Sequence, residues 1–249
     1  MGLVMTEDTS LDFNFWASFA DLMLALVLVL SLLLFIVVAV ISFNTVNLKQ
    51  VEENQTKMVS SIANNYQVKP VLLNNDERLK RTLFGISTKH NNTHDIKIQN
   101  ELNVQRVTFS DKLLFQPDQT VINANGQEVL TIVGKILRAQ IPLIKEIQIQ
   151  GHADTQKSGR FRTNTELAAM RAIAVFEFLQ QNVGIDPNET LMSVSSFGEF
   201  KSVNRGENED AVYNRDKLLT DNSDENLRSY NRRIEIVLIY YREKKEAEN

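Results

Sequence analysis

The chain has 249 residues, 43% hydrophobic and 23% charged, enough for one membrane anchor and one folded domain with its own core, and not for a second large domain. A net charge of −4 and the lack of a strongly basic stripe argue against a broad electrostatic grip on nucleic acid. With no cysteine, disulfides, thiolate catalysis and cysteine-based zinc sites are excluded, while either side of a bacterial membrane stays open.

The first expected element is a membrane-spanning helix over 15–43, behind a short head, 1–14. From Leu22 to Ile41 only Ser31 is polar, and about twenty residues at 1.5 Å rise cross a hydrocarbon layer of roughly 30 Å. A cleaved signal peptide fits less well, because Met1 to Ala20 contains no Lys or Arg. Asp21 lies within this helix, about 9 Å along it from Phe15. A carboxylate near the centre of a span costs about 2.5–3.5 kcal/mol, so it either faces a partner or a wet path, or snorkels to the nearby interface. Charge does not orient the span, since Glu7, Asp8 and Asp12 precede it and Lys49 and Lys57 follow it among Glu52 and Glu53.

Residues 44–95 read as a stalk or linker. Val46, Leu48, Val51, Met58 and Ile62 are too weakly periodic for a coiled coil, and "STKHNNTHD" is turn-prone. From Ile96 the pattern sharpens into a domain, 96–243, before a charged tail, 244–249. "IKI" and "VQRVTF" alternate as strand, and a helix follows with Leu130, Val133, Ile136 and Leu137 on one face. "IKEIQIQG" is a second strand. "NTELAAMRAIAVFEFLQQNVG" is a second helix with Leu167, Ile173, Phe176 and Leu179 inward and Gly184 as its stop. "LMSVSSFG" and, beyond a polar insertion at 199–229, "RRIEIVLIYY" complete the order βαβαββ. This is an α/β fold with helices on one face of a mixed sheet.

"EIQIQGHADT", "NTELAAMRA" and "YNRRIEI" resemble, in order, the three motifs of the OmpA-like peptidoglycan-binding family, which includes the periplasmic domains of MotB proteins. The resemblance runs from about Val107 to Tyr240 and implies an OmpA-like α/β sandwich. Two departures are Ala168, where the family usually has serine, and a slightly long "TQKSGRFRT" loop. A free diaminopimelate in a peptidoglycan stem presents an ammonium beside a carboxylate, so its site needs one fixed anion and one fixed cation. The resemblance implies that Asp154 takes the ammonium and Arg171 the carboxylate, with Asn164, Leu167 and Arg232 completing the pocket. Residue types alone favour an internal Asp154–Arg171 ion pair instead.

"FWASFADLM" resembles the start of the membrane helix in B subunits of ion-driven rotary motors, namely MotB and PomB of flagella and ZorB of the Zorya anti-phage system. The match comprises Trp16, Phe19, Ala20, Asp21, Leu22 and Met23; "W-x-S-F-A-D-L-M" is more similar to ZorB-like and PomB-like chains, and the head is short and acidic where flagellar MotB proteins usually have a longer basic one. The resemblance implies that Asp21 binds the translocated H⁺ or Na⁺. It also implies a homodimer within a ring of five MotA- or ZorA-like A subunits, and one crossing of the bacterial inner membrane with the head cytoplasmic and the domain periplasmic. A flagellar stator subunit and a passive membrane-to-wall tether are the alternatives.

No cofactor, metal or catalytic residue is expected. His90 and His94 are four apart but sit beside Asn91 and Asn92 in a loop-like stretch without a third ligand. His152 reads as a structural hydrogen-bonding residue. No phosphate loop, G-x-S-x-G or defensible carboxylate pair points to a hydrolase.

Overall fold

The computed structural model describes residues 15–78, 80–88, 95–205 and 212–241. The expected head, the charged tail, and His90 and His94 lie outside them. The chain divides into two units, Met1–Val46 and Asn47–Asn249.

In the first unit, Ser18–Ser42 is the one stretch, among the described residues, that is long and apolar enough to cross a membrane. It belongs to helix α1, Phe15–Asn65. The hydroxyl of Ser31 donates to the Leu28 carbonyl at 2.8 Å, so the helix satisfies its polar side chain internally, as hydrocarbon demands. Trp16 and Phe19 meet edge to face with ring centroids 6.3 Å apart.

The second unit is built on seven strands: β1 Val71–Asp76, β2 Arg81–Ile86, β3 Ile96–Glu101, β4 Val104–Ser110, β5 Ile144–His152, β6 Leu191–Gly198 and β7 Arg233–Tyr240. They lie in the order β1-β2-β3-β4-β7-β5-β6. The sheet is mixed, since β7 runs antiparallel to both β4 and β5 while β5 and β6 are parallel. Between strands come α2 Asp111–Leu114, α3 Ala124–Gln140, α4 Asn164–Phe178, α5 Arg215–Thr220 and α6 Glu225–Asn231. Alternation along the strands buries Ile96, Ile98, Val107, Phe109, Ile234, Ile236 and Leu238 on one face, with Val129, Leu130, Val133 and Leu137 of α3 and Ala172 and Val175 of α4 in the same core. Full burial of each such branched side chain contributes about 1.5–3 kcal/mol. Ile173, expected to face inward, is exposed on the far side of α4, where the true inward positions are Ala168, Ala172 and Val175. Gly184 ends the following π turn in the left-handed region, φ +75°, as its sequence position suggests.

Residues 44–95 are not the linker the sequence suggested. The compact unit starts at Asn47, and Val51, Met58, Val59, Ile62 and Ala63 are core residues. The apolar period there is broken by polar residues that are themselves buried and bonded. Gln55 Nε2 donates to the carbonyls of Leu102 and Val104, both at 3.1 Å. Gln105 Nε2 returns a bond to the Gln55 carbonyl at 3.0 Å, and Tyr240 Oη donates to Gln105 Oε1 at 2.8 Å. The hairpin β1–β2 extends the sheet by pairing with β3 over Arg81–Ile86.

Candidate functional site

The site forms where the carboxyl ends of β4 and β5 meet the start of β7. An added Cβ on Gly151 would lie 2.0 Å from the Ala168 carbonyl oxygen, so α4 rests directly on the end of β5. That approach sets Asn164 of α4 on the Asp154 carbonyl and brings Arg171 within electrostatic reach of Asp154. Thr163 starts α4 by accepting from the Glu166 amide at 3.1 Å, and the Glu166 carboxylate accepts from the Arg162 amide at 3.1 Å, a variant of the reciprocal N-terminal box.

Asp154 is buried. One carboxylate oxygen accepts from the Gln156 amide at 2.9 Å, and the other is in direct contact with the Arg232 guanidinium. Asn164 Nδ2 donates to the Asp154 carbonyl at 3.0 Å and its Oδ1 accepts from the Ser158 amide at 3.2 Å. The 155–163 loop is held further by Asp118, whose carboxylate accepts from Ser158 Oγ at 2.5 Å and the Gly159 amide at 2.9 Å. Arg232 also pairs with Glu225 of α6, and its backbone carbonyl accepts from the Asp111 amide at 3.0 Å. Burial opposes the charge on Arg232, but Glu225 and Asp154 raise its pKa above the usual guanidinium value.

Arg171 has a different partner. Its Nη1 lies 2.8 Å from Asp111 Oδ1, and Nε donates to the Gln119 carbonyl at 2.8 Å. The guanidinium also sits 5.1 Å from the Phe115 ring centroid. With 4% of the Arg171 side chain exposed, against 17% for Arg232, the first is fixed and the second is open to displacement. Burial drives Asp111 upward and Arg171 downward in pKa, each opposed by the other's charge. The structure therefore brings Asp154, Asn164 and Arg232 together, buries Leu167 on α4 one turn after Asn164, and sets Arg171 on Asp111; no direct Asp154–Arg171 ion pair occurs among the described residues. Asp111 and Glu225 were not singled out from the sequence. Asp111 follows the last residue of a strand, where an acid reads equally well as a helix-start residue.

His152 does not make the expected hydrogen bond. Among the described residues neither ring nitrogen has a hydrogen-bond partner within reach; Nε2 is 3.7 Å from Glu235 Oε2, a carboxylate held by Arg106 at 2.8 Å and Arg233 at 2.6 Å. The imidazole instead stacks on Phe197 at 5.2 Å, and burial lowers its pKa to about 4.

Residues 114–215 match the OmpA family. The chain carries an OmpA-like domain. Its fold is similar to that of a MotB-like protein from Desulfovibrio vulgaris, with 17% identity, 80% of this chain and 99% of that one covered, and a TM-score of 0.55. The periplasmic domain of Helicobacter pylori MotB aligns at 23% identity over 58% of this chain and 82% of that one, with a TM-score of 0.46. The type VI secretion system cell wall anchor of Pseudomonas aeruginosa aligns at 20% identity over 59% and 89%, with a TM-score of 0.45. A search of curated proteins finds no match.

Proposed function

We propose that the protein is the B subunit of an ion-driven inner-membrane rotary motor, with Asp21 carrying H⁺ or Na⁺ and the OmpA-like domain fixing the complex to peptidoglycan. The observation that carries the reading is one chain combining a candidate span that contains a carboxylate with an OmpA-like domain. Passage through a membrane makes a charged Asp21 costly and a neutralised one cheap, so ion binding there changes what surroundings the helix tolerates. Torque on a surrounding ring requires the helix to be tethered, and the domain supplies the tether. In this reading two copies cross the membrane once each, heads cytoplasmic and domains periplasmic, inside five A subunits of the MotA or ZorA kind. The motor is of the Zorya anti-phage type, with a flagellar stator as the alternative.

Peptidoglycan binding is an exchange at Asp154. The ammonium of a stem-peptide zwitterion replaces Arg232 on the carboxylate, and the released Arg232, with Arg171 behind it, faces the ligand's carboxylate. Asn164 holds the strand end and Leu167 the wall. No bond is made or broken in the ligand, so the protein acts as an anchor and not as an enzyme. The test is co-sedimentation of the full chain, in an uncharged detergent, with purified sacculi. Asp154→Asn is expected to reduce retention about tenfold, the cost of one charge-assisted contact; equal retention refutes the pocket. Asp21→Asn leaves retention intact and abolishes motor output. A silent Asp21→Asn would favour the second reading, a passive membrane-to-wall tether, which the OmpA-like domain alone supports.

A further inference from the structure

The face of the sheet turned away from the core carries a groove whose charge is unbalanced. Eight cationic side chains and four carboxylates line it, in a chain whose net charge is −4. The carboxylates are already engaged. Glu101 pairs with Arg81 at 3.2 Å, Asp111 with Arg171 at 2.8 Å, and Glu235 with both Arg106 and Arg233; Asp95 accepts from Thr88 Oγ1 at 3.0 Å.

Two half-buried ammonium groups make no salt bridge among the described residues. Lys97 Nζ lies 4.4 Å from the Tyr230 ring centroid. Lys201 Nζ lies 4.3 Å from the Phe197 ring centroid and 3.4 Å from Gln150 Oε1. Burial lowers the pKa of both, and Arg233 lowers both further, with Arg106 adding to Lys201 and Glu235 opposing there. Partly desolvated cations normally have a counter-charge, because withdrawing them from water is costly.

Strand register arranges these groups in a line. Lys97 is opposite Thr108, Thr108 opposite Glu235, and Glu235 opposite Gln150, which Lys201 contacts. Three inter-strand steps span about 14 Å. Flanking that line, Arg106 and Arg233 each spend one guanidinium nitrogen on Glu235, at 2.8 and 2.6 Å, while the ammonium groups at its two ends make no salt bridge among the described residues. Ammonium point charges suit tetrahedral phosphate.

We propose that this groove binds a linear oligophosphate, with Lys97 and Lys201 as the contact cations at its two ends. The groove borders the Asp154 site, since Arg232 and Asp111 also line it, but neither contact cation takes part in the Asp154 exchange.

The experiment is isothermal titration of the full chain, in uncharged detergent at low salt, with a linear hexaphosphate and, in a second arm, with hexaglutamate. The expected result is saturable hexaphosphate binding, weakened at least about tenfold in the Lys97→Gln/Lys201→Gln variant, with sacculus retention unchanged. Removing uncompensated charge also leaves the ligand-free variant as heat-stable as the parent, or more so. Failure to bind hexaphosphate overturns the proposal and leaves the compensating charge to the chain's own acids. Equal binding by the double variant, a lower melting temperature of that variant, or preference for hexaglutamate also overturns it.

Discussion

Replacing Asp111 with alanine leaves the Arg171 guanidinium buried and without its carboxylate. Arginine does not escape by losing its proton, and its side chain is only 4% exposed, so water cannot take over. Breaking one side of a buried pair costs roughly 3–5 kcal/mol. Because the Gln119 carbonyl still accepts from Nε at 2.8 Å, the lower end applies, about 3 kcal/mol. Urea unfolding of the full chain in detergent, followed by circular dichroism, measures it. The complementary change, Arg171→Met, strands an acid that has another route. Burial already raises the folded pKa of Asp111 above its unfolded value. Protonation therefore relieves the strain at low pH, and that relief is lost as pH rises through the folded pKa. The deficit of Arg171→Met should accordingly shrink as pH falls through the raised folded pKa of Asp111, while that of Asp111→Ala stays level. A loss below about 1 kcal/mol for Asp111→Ala, or identical pH profiles for the two variants, refutes the assignment of a structural ion pair.

Two further outcomes follow from the same region. His152 is buried neutral, with its pKa lowered from 6.5 to about 4, so stability present above pH 6.5 is lost as pH falls through that interval, by about 3 kcal/mol in all. His152→Phe keeps the stack on Phe197 and should flatten that limb of the stability–pH curve; parallel curves would count against it. Gly151→Ala places a methyl group 2.0 Å from the Ala168 carbonyl oxygen and should cost at least about 2 kcal/mol, seen as a melting temperature lower by about 5 °C, together with weaker sacculus retention. An unchanged melting temperature would show that α4 does not rest on β5.

What was legible in the sequence was what is written locally. The α4 segment was legible from Asn164 to its stop at Gly184, and the strands β3, β4 and β5 announce themselves by alternation. The end of α1 was hidden because Asn54 and Gln55 are buried among its apolar positions, a pattern that makes sense only once Leu102, Val104 and Gln105 are beside it. The β1–β2 hairpin was hidden because β1 is an exposed edge, so no inward face imprints a period on it. At the site, motif order located Asp154, Asn164, Arg171 and Arg232. The pairing did not follow, because Asp111 and Arg171 are sixty residues apart and a lone acid after a strand has no local signature of its partner. Ile173 was misassigned because the α4 core line runs through small residues, Ala168 and Ala172, that a count of large side chains overlooks.

The position of β7 bears on how the domain is made. The strand between β4 and β5 leaves the ribosome after the other six described strands. Until it arrives, the sheet exists as two fragments, β1–β4 and β5–β6, each with a bare edge awaiting the same eight residues. A growing chain therefore holds two sticky edges open from the synthesis of β5 until β7 emerges, and is most exposed to mispairing in that interval. Loss of the segment from Arg233 onward would not trim the domain but split its sheet down the middle.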